Sequence, residues 1–250
     1  MDVALGVLAF WPALALGSFV NVVAARVPLR RSVVHPRSAC MSCGEELAWY
    51  DNVPLLSYAV LRGRCRSCGV GISLLYPAVE LGTALLVAAC LWRFGLSGQA
   101  AVAAFFCVVL VAVTATDLTH RIIPNRIVVP AAALVLVAQT ALQPSPEWAI
   151  AAFVAALFLF LAALAYPGGM GMGDVKLALL MGAALGKTVS VAMMAGMLAA
   201  LIPSMYLLAR HGSKARKMGI PFGPFLALGS VIALFGGHWL LSEYWAAFTH

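Results

Sequence analysis

The sequence predicts an all-α polytopic integral membrane protein of about eight transmembrane helices with one small cytoplasmic loop rich in cysteine. Three observations predict it. The chain of 250 residues is 63% hydrophobic, with a mean hydropathy of +0.98. Only 10% of its residues are charged, against roughly 25% in a soluble domain. Its one sizeable polar stretch, residues 27–73, carries two C-x-x-C pairs. Hydrocarbon offers the backbone no water, so the apolar segments must span as helices.

The spans fall at about 4–25, 74–92, 99–117, 126–142, 148–166, 174–187, 189–209 and 220–241, most of them near the 20 apolar residues a crossing needs. The first, 1–26, has no Lys or Arg before its apolar core, and its first positive residue is Arg26. It is expected to be an uncleaved anchor with its N-terminus outside. The polar loop 27–73 then faces the cytoplasm, and 74–250 supplies a membrane domain of seven helices. The sixth span is short. Its 14 residues reach about 21 Å at 1.5 Å per residue, against a hydrocarbon core of about 30 Å. Charge bias argues that it crosses. With eight spans, Arg30, Arg62, Arg121, Lys176, Arg210, Lys214, Arg216 and Lys217 are among the basic residues inside, while only Arg93 and Lys187 lie outside. Without a sixth crossing, the HGSKARK cluster moves outside, against the positive-inside rule.

The net charge of +7 suits nucleic acid in a soluble protein. Here the basic residues sit in loops between apolar runs, and no aromatic-basic module accompanies them, which excludes nucleic acid as the expected partner.

In the loop, Cys40 and Cys43 are followed after 21 residues by Cys65 and Cys68. Two such pairs signal a zinc-ribbon-like site with four thiolate ligands. Gly44 and Gly69 follow the pairs directly and permit the tight turns that bring backbone to sulfur. The competing reading is disulfides or redox thiols, which a cytoplasmic location disfavours. Four thiolates fill a zinc shell and leave no position for a water, so such a zinc is structural. Cys90 and Cys107, in the second and third spans, read as small apolar residues.

Three acids fall in membrane segments, where ionisable groups are costly and mark function: Glu80, Asp117 and Asp174. Asp117 ends the third span and Asp174 opens the sixth, in "GMGMGDVKL". Both are expected near the inner face, where they can meet. Two close carboxylates do not both ionise readily; one acts as base toward a water while its protonated partner polarises a carbonyl. Gly168, Gly169, Gly171 and Gly173 clear a path for an extended substrate backbone. The alternative is that each aspartate merely caps its helix, with Asp174 as N-cap. Glu80 suits a proton relay or a structural hydrogen bond, and Lys176 can snorkel or pair with an acid. The five histidines show no ligand spacing.

These motifs, taken in order, resemble the bacterial type IV prepilin peptidase family over nearly the whole chain. "GSFVNVVAARVP" resembles its first motif, and the stretch from "CMSC" through "CRSC" to "YPAVE" resembles its cysteine loop. "DLTHRIIPN" carries the first family aspartate at Asp117, and "GMGDVKLAL" carries the G-x-G-D motif with the second at Asp174. "IPFGPFLALGS" resembles the entry to the last span. The resemblance implies an aspartic peptidase of the inner membrane with a second, N-methyltransferase activity. Its expected substrates are type IV prepilins or type II secretion pseudopilins, in contact with membrane lipid. It cuts their basic leader after a glycine, then methylates the new N-terminus with S-adenosylmethionine. The family ties methyl transfer to the cysteine loop, yet 27–73 contains no glycine-rich nucleotide fingerprint. Glu45, Glu46 and Asp51 are candidate attractors of the leader's basic residues. The rivals are a signal peptide peptidase or preflagellin peptidase, a proton-coupled transporter using the three acids, and a zinc-stapled anchor for pilus-assembly partners.

Overall fold

The computed structural model describes residues 2–166, 170–212 and 219–248. Gly168, Gly169, Lys214, Arg216, Lys217 and His250 lie outside the described residues. Long helices form at each of the eight expected places: α1 (Asp2–Arg26), α3 (Leu75–Phe94), α4 (Gly98–His120), α5 (Asn125–Leu142), α6 (Glu147–Ala165), α7 (Met172–Leu185), α8 (Val189–His211) and α9 (Gly223–Phe248). A short helix, α2 (Leu56–Val60), lies in the polar loop. Among the described residues there is no strand, only two isolated bridges in that loop. Among the described residues, seven stretches are long and apolar enough to cross a membrane, with α7 and α8 running together as one stretch of 40 residues. The protein is a multi-pass membrane protein.

The chain forms two compact units, residues 1–116 and 117–250. In the first, α1 lies tight against α3. A Cβ on Gly17 would come within 2.7 Å of the Glu80 Cα, so only glycine permits this approach. Val20 and Ala24 of α1, Val79 of α3, and Ala112 and Ala115 of α4 share one core. The Asn21 amide donates to the Tyr76 carbonyl at 3.1 Å. Cys90 and Cys107 are buried free thiols facing each other at 3.8 Å, consistent with small core residues.

In the second unit, α7 is the inner helix. Ten of its 14 residues are buried, as expected of a strongly apolar helix covered over most of its surface by protein. Gly182 sits on α6 so closely that a Cβ would overlap the Ala151 carbonyl. The far end of α7 is closed by two side chains. Gln139 of α5 donates to the Ala184 carbonyl at 3.0 Å, satisfying one of the acceptors a helix end leaves open. Glu147 accepts the Lys187 backbone N–H at 2.9 Å, beside the turn at Gly186 (φ +57). Helices α8 and α9 meet through small residues. A Cβ on Gly229 would overlap the Ala192 carbonyl, and one on Gly196 would lie 2.9 Å from the Phe225 carbonyl oxygen. Close backbone approach of this kind is how membrane helices gain packing energy without a hydrophobic drive.

Candidate active site

Asp117 and Asp174 are brought together within the second unit. Each side chain is buried, 6% and 8% exposed, and the two carboxyl groups interact electrostatically. Asp117 lies one turn before the end of α4. Its Oδ2 accepts the Gly223 N–H at 2.9 Å, so it caps α9, a helix 106 positions away, and not its own. The first N–H groups of a helix have no internal partner and carry partial positive charge, which suits a carboxylate. A Cβ on Gly223 would lie 2.9 Å from that same oxygen. Arg121, in the left-handed region (φ +53) just after α4, lies within electrostatic reach of Asp117.

Asp174 is the third residue of α7, and the N-cap position belongs to Gly171. This corrects the alternative reading of Asp174 as N-cap. A glycine cannot cap with a side chain, so the acid reaches back, and its Oδ2 accepts the Gly171 N–H at 3.2 Å. A second correction concerns Gly173. The space above it is taken by Ile123, whose Cβ would lie 2.8 Å from an added Cβ. Its missing side chain makes room for the segment between α4 and α5, so of the described glycines before Asp174 only Gly171 remains open for a passing backbone. Lys176 pairs with no acid among the described residues; its Nζ donates to the Asn125 Oδ1 at 2.9 Å, joining the start of α7 to that of α5.

The four loop cysteines also converge. Their sulfurs lie within 4.8 Å of one another, with Cys40 and Cys68 at 3.8 Å. Two matching turns bring them there. The Cys40 N–H donates to the Glu45 carbonyl and the Gly44 N–H to the Cys40 carbonyl, and Cys65, Val70 and Gly69 repeat the pattern. Gly44 (φ +74) and Gly69 (φ +70) occupy the left-handed region the turns need. Backbone N–H groups of Cys43 and Ser42 pull the Cys40 thiol down to about 6, toward the thiolate form that binds metals. These residues can hold a metal ion. Asp51 is not available to a basic leader, because Arg66 grips it with Nε at 2.9 Å and Nη2 at 2.6 Å. Glu45 and Glu46 stay exposed. Glu80 accepts the Leu55 N–H at 2.9 Å, which ties α3 to the polar loop.

Two family models match the chain, the bacterial peptidase A24 N-terminal domain over residues 12–94 and the type IV leader peptidase family over residues 104–208. A prepilin leader peptidase/N-methyltransferase of Bacillus subtilis is 38% identical over 236 residues, covering 92% of this chain and 94% of its own. The chain belongs to the type IV leader peptidase family. A protein of the same description from Pseudomonas aeruginosa is 31% identical, covering 92% of this chain and 90% of its own. One from Myxococcus xanthus is 54% identical over 117 residues, 47% of this chain and 35% of its own. No solved structure matches. In this leader peptidase, two residues of the aspartate site escape sequence reasoning. Gly223 lies in the quoted "IPFGPF", but nothing local ties its N–H to Asp117. Asn125 closes "RIIPN" and reads as a helix start, without a sign of its lysine partner.

Proposed function

We propose that this chain is a bifunctional prepilin leader peptidase and N-methyltransferase of the inner membrane. The observation that carries the peptidase reading is the meeting of Asp117 and Asp174, buried and each held by a main-chain N–H. One carboxylate takes a proton from the attacking water. The other, protonated, donates to the scissile carbonyl and stabilises the charge that develops there. The main-chain donors fix carboxyl orientation, which near-attack geometry requires. The N-terminus lies outside and the cysteine loop is cytoplasmic, so the basic leader of a type IV prepilin or type II secretion pseudopilin meets the acids at the inner face. In this reading 1–26 anchors the chain, 27–73 serves methyl transfer, and 74–250 carries the peptidase.

Cys40, Cys43, Cys65 and Cys68 hold a structural zinc. Tetrahedral zinc–sulfur bonds of about 2.3 Å place sulfurs about 3.8 Å apart, the separation found for Cys40 and Cys68. S-adenosylmethionine supplies the methyl group when bound. Purified protein incubated with a prepilin and this donor is expected to release a product shorter by the leader and heavier by one methyl group, read by mass spectrometry. Intact substrate would overturn the reading.

Two further outcomes are expected. Stripping the metal with a strong chelator should abolish methylation and leave cleavage unchanged, because the sulfurs belong to the first unit and the acids to the second. Full methylation by protein that metal analysis shows to be zinc-free would refute the zinc role. Gly223→Ala should lower kcat for cleavage about 10²-fold, the cost of a misplacement near 1 Å, because the new methyl presses on the Asp117 Oδ2. An unchanged kcat would show that this contact does not set the acid's position.

A further inference from the structure

A cavity of about 620 Å³ opens between the cysteine loop and the adjoining ends of α1 and α3. That is the size of a site for a small molecule or cofactor, and every residue lining it belongs to the first unit. The aspartate pair is not part of it.

The charges on its wall are unusual. Glu80 lines the cavity, is 8% exposed, and forms no ion pair among the described residues. One oxygen has the Leu55 N–H and the Ser18 hydroxyl also donates to the carboxyl, but neutral donors do not offset the burial of a full charge. Of the loop's arginines only Arg66 lines the cavity, and it is already paired with Asp51. Arg26 also lines the cavity. Its guanidinium donates to the Ser32 and Arg37 carbonyls at 3.2 Å each, contacts that fix its position without neutralising it. Tyr58 and Tyr76 add aromatic surface. Glu45 and Glu46 also line the cavity but are exposed to solvent, so what it offers inside is a buried carboxyl without a cationic partner, an unneutralised cation and aromatic walls. A matching ligand has a cationic centre, a carboxylate and a flat ring.

We infer that this cavity is the S-adenosylmethionine site, with Glu80 facing the sulfonium, Arg26 the ligand carboxylate, and the two tyrosines the adenosine. The inference rests on the methyltransferase reading above and gives it residues. It also explains how a loop without a nucleotide fingerprint serves methyl transfer: the loop roofs a pocket whose recognising charges come from α1 and α3.

Equilibrium dialysis of the purified full chain against radiolabelled S-adenosylmethionine and S-adenosylhomocysteine tests it, because the second lacks the methyl group and the positive charge. Wild type is expected to prefer the charged ligand. Glu80→Gln should weaken its binding at least about tenfold, as loss of a buried charge partner does, and erase the preference. Ala25→Phe, which fills the cavity from α1, should abolish binding of both. Melting temperature and metal content report folding, and if Glu80→Gln does not fold, Ala25→Phe decides. If wild type methylates and both folded variants bind like it, the cavity assignment falls and the methyltransferase reading stands. If wild type neither binds nor methylates, both fall.

Discussion

Asp117→Asn and Asp174→Asn, each made alone, are expected to reduce prepilin cleavage by roughly 10³-fold or more, within the range that general acid–base groups supply. An amide can donate a hydrogen bond but cannot accept a proton from water. With one acid replaced, the pair loses either its base or the proton it shares. The fold should survive both changes. The asparagine carbonyl still accepts the Gly223 N–H in place of the Asp117 Oδ2, and the Gly171 N–H in place of the Asp174 Oδ2. Cleavage and melting temperature therefore separate. A variant that keeps full activity would sink the paired-acid mechanism. One that loses activity only together with thermal stability would return both residues to the role of helix caps.

Gly182→Ala is expected to be the most damaging single change away from the acids. Its methyl would collide with main-chain atoms of Ala151 and Ala152, which cannot swing aside as a side chain can. Overpacking that must move backbone costs about 3 kcal/mol or more. Relief requires α7 to move off α6, and α7 carries Asp174 at its start. Melting temperature and cleavage should fall together, unlike the pattern for the asparagine variants. A stable, active Gly182→Ala protein would mean that the two helices are free to separate without consequence.

The helices were readable because hydrocarbon demands long apolar runs, and polar breaks between them are abrupt. The acids stand out because ionisable groups are costly in a membrane span, and charge bias sets both near one face, but their pairing rests on the family resemblance, since each could equally cap a helix. The sulfur cluster was readable because the two C-x-x-C pairs each carry the glycine their turn needs. What packing decides was not readable. Leu177, Leu180 and Met181 of α7 are fully buried, yet in sequence they match the exposed leucines of α6. Apolar residues facing lipid and facing protein share one chemistry, so periodicity does not separate them. Hydrogen bonds over long separations were equally silent. The Gly223 donor to Asp117 and the Asn125 partner of Lys176 use backbone or amide groups that occur everywhere. Glu80 stood out as an acid in a span, but its cavity needed the loop folded over it.

The enclosure of α7 has a consequence for how such a protein drifts over generations. An outward residue such as Phe153 or Leu161 of α6 can be exchanged for any other apolar side chain, since fluid tails accommodate every shape. A buried residue of α7, such as Leu177 or Leu180, has neighbours that cannot flow. Its replacements must be matched by changes in α5 or α6, so this helix should diverge in steps coordinated with its neighbours while the outer faces wander singly.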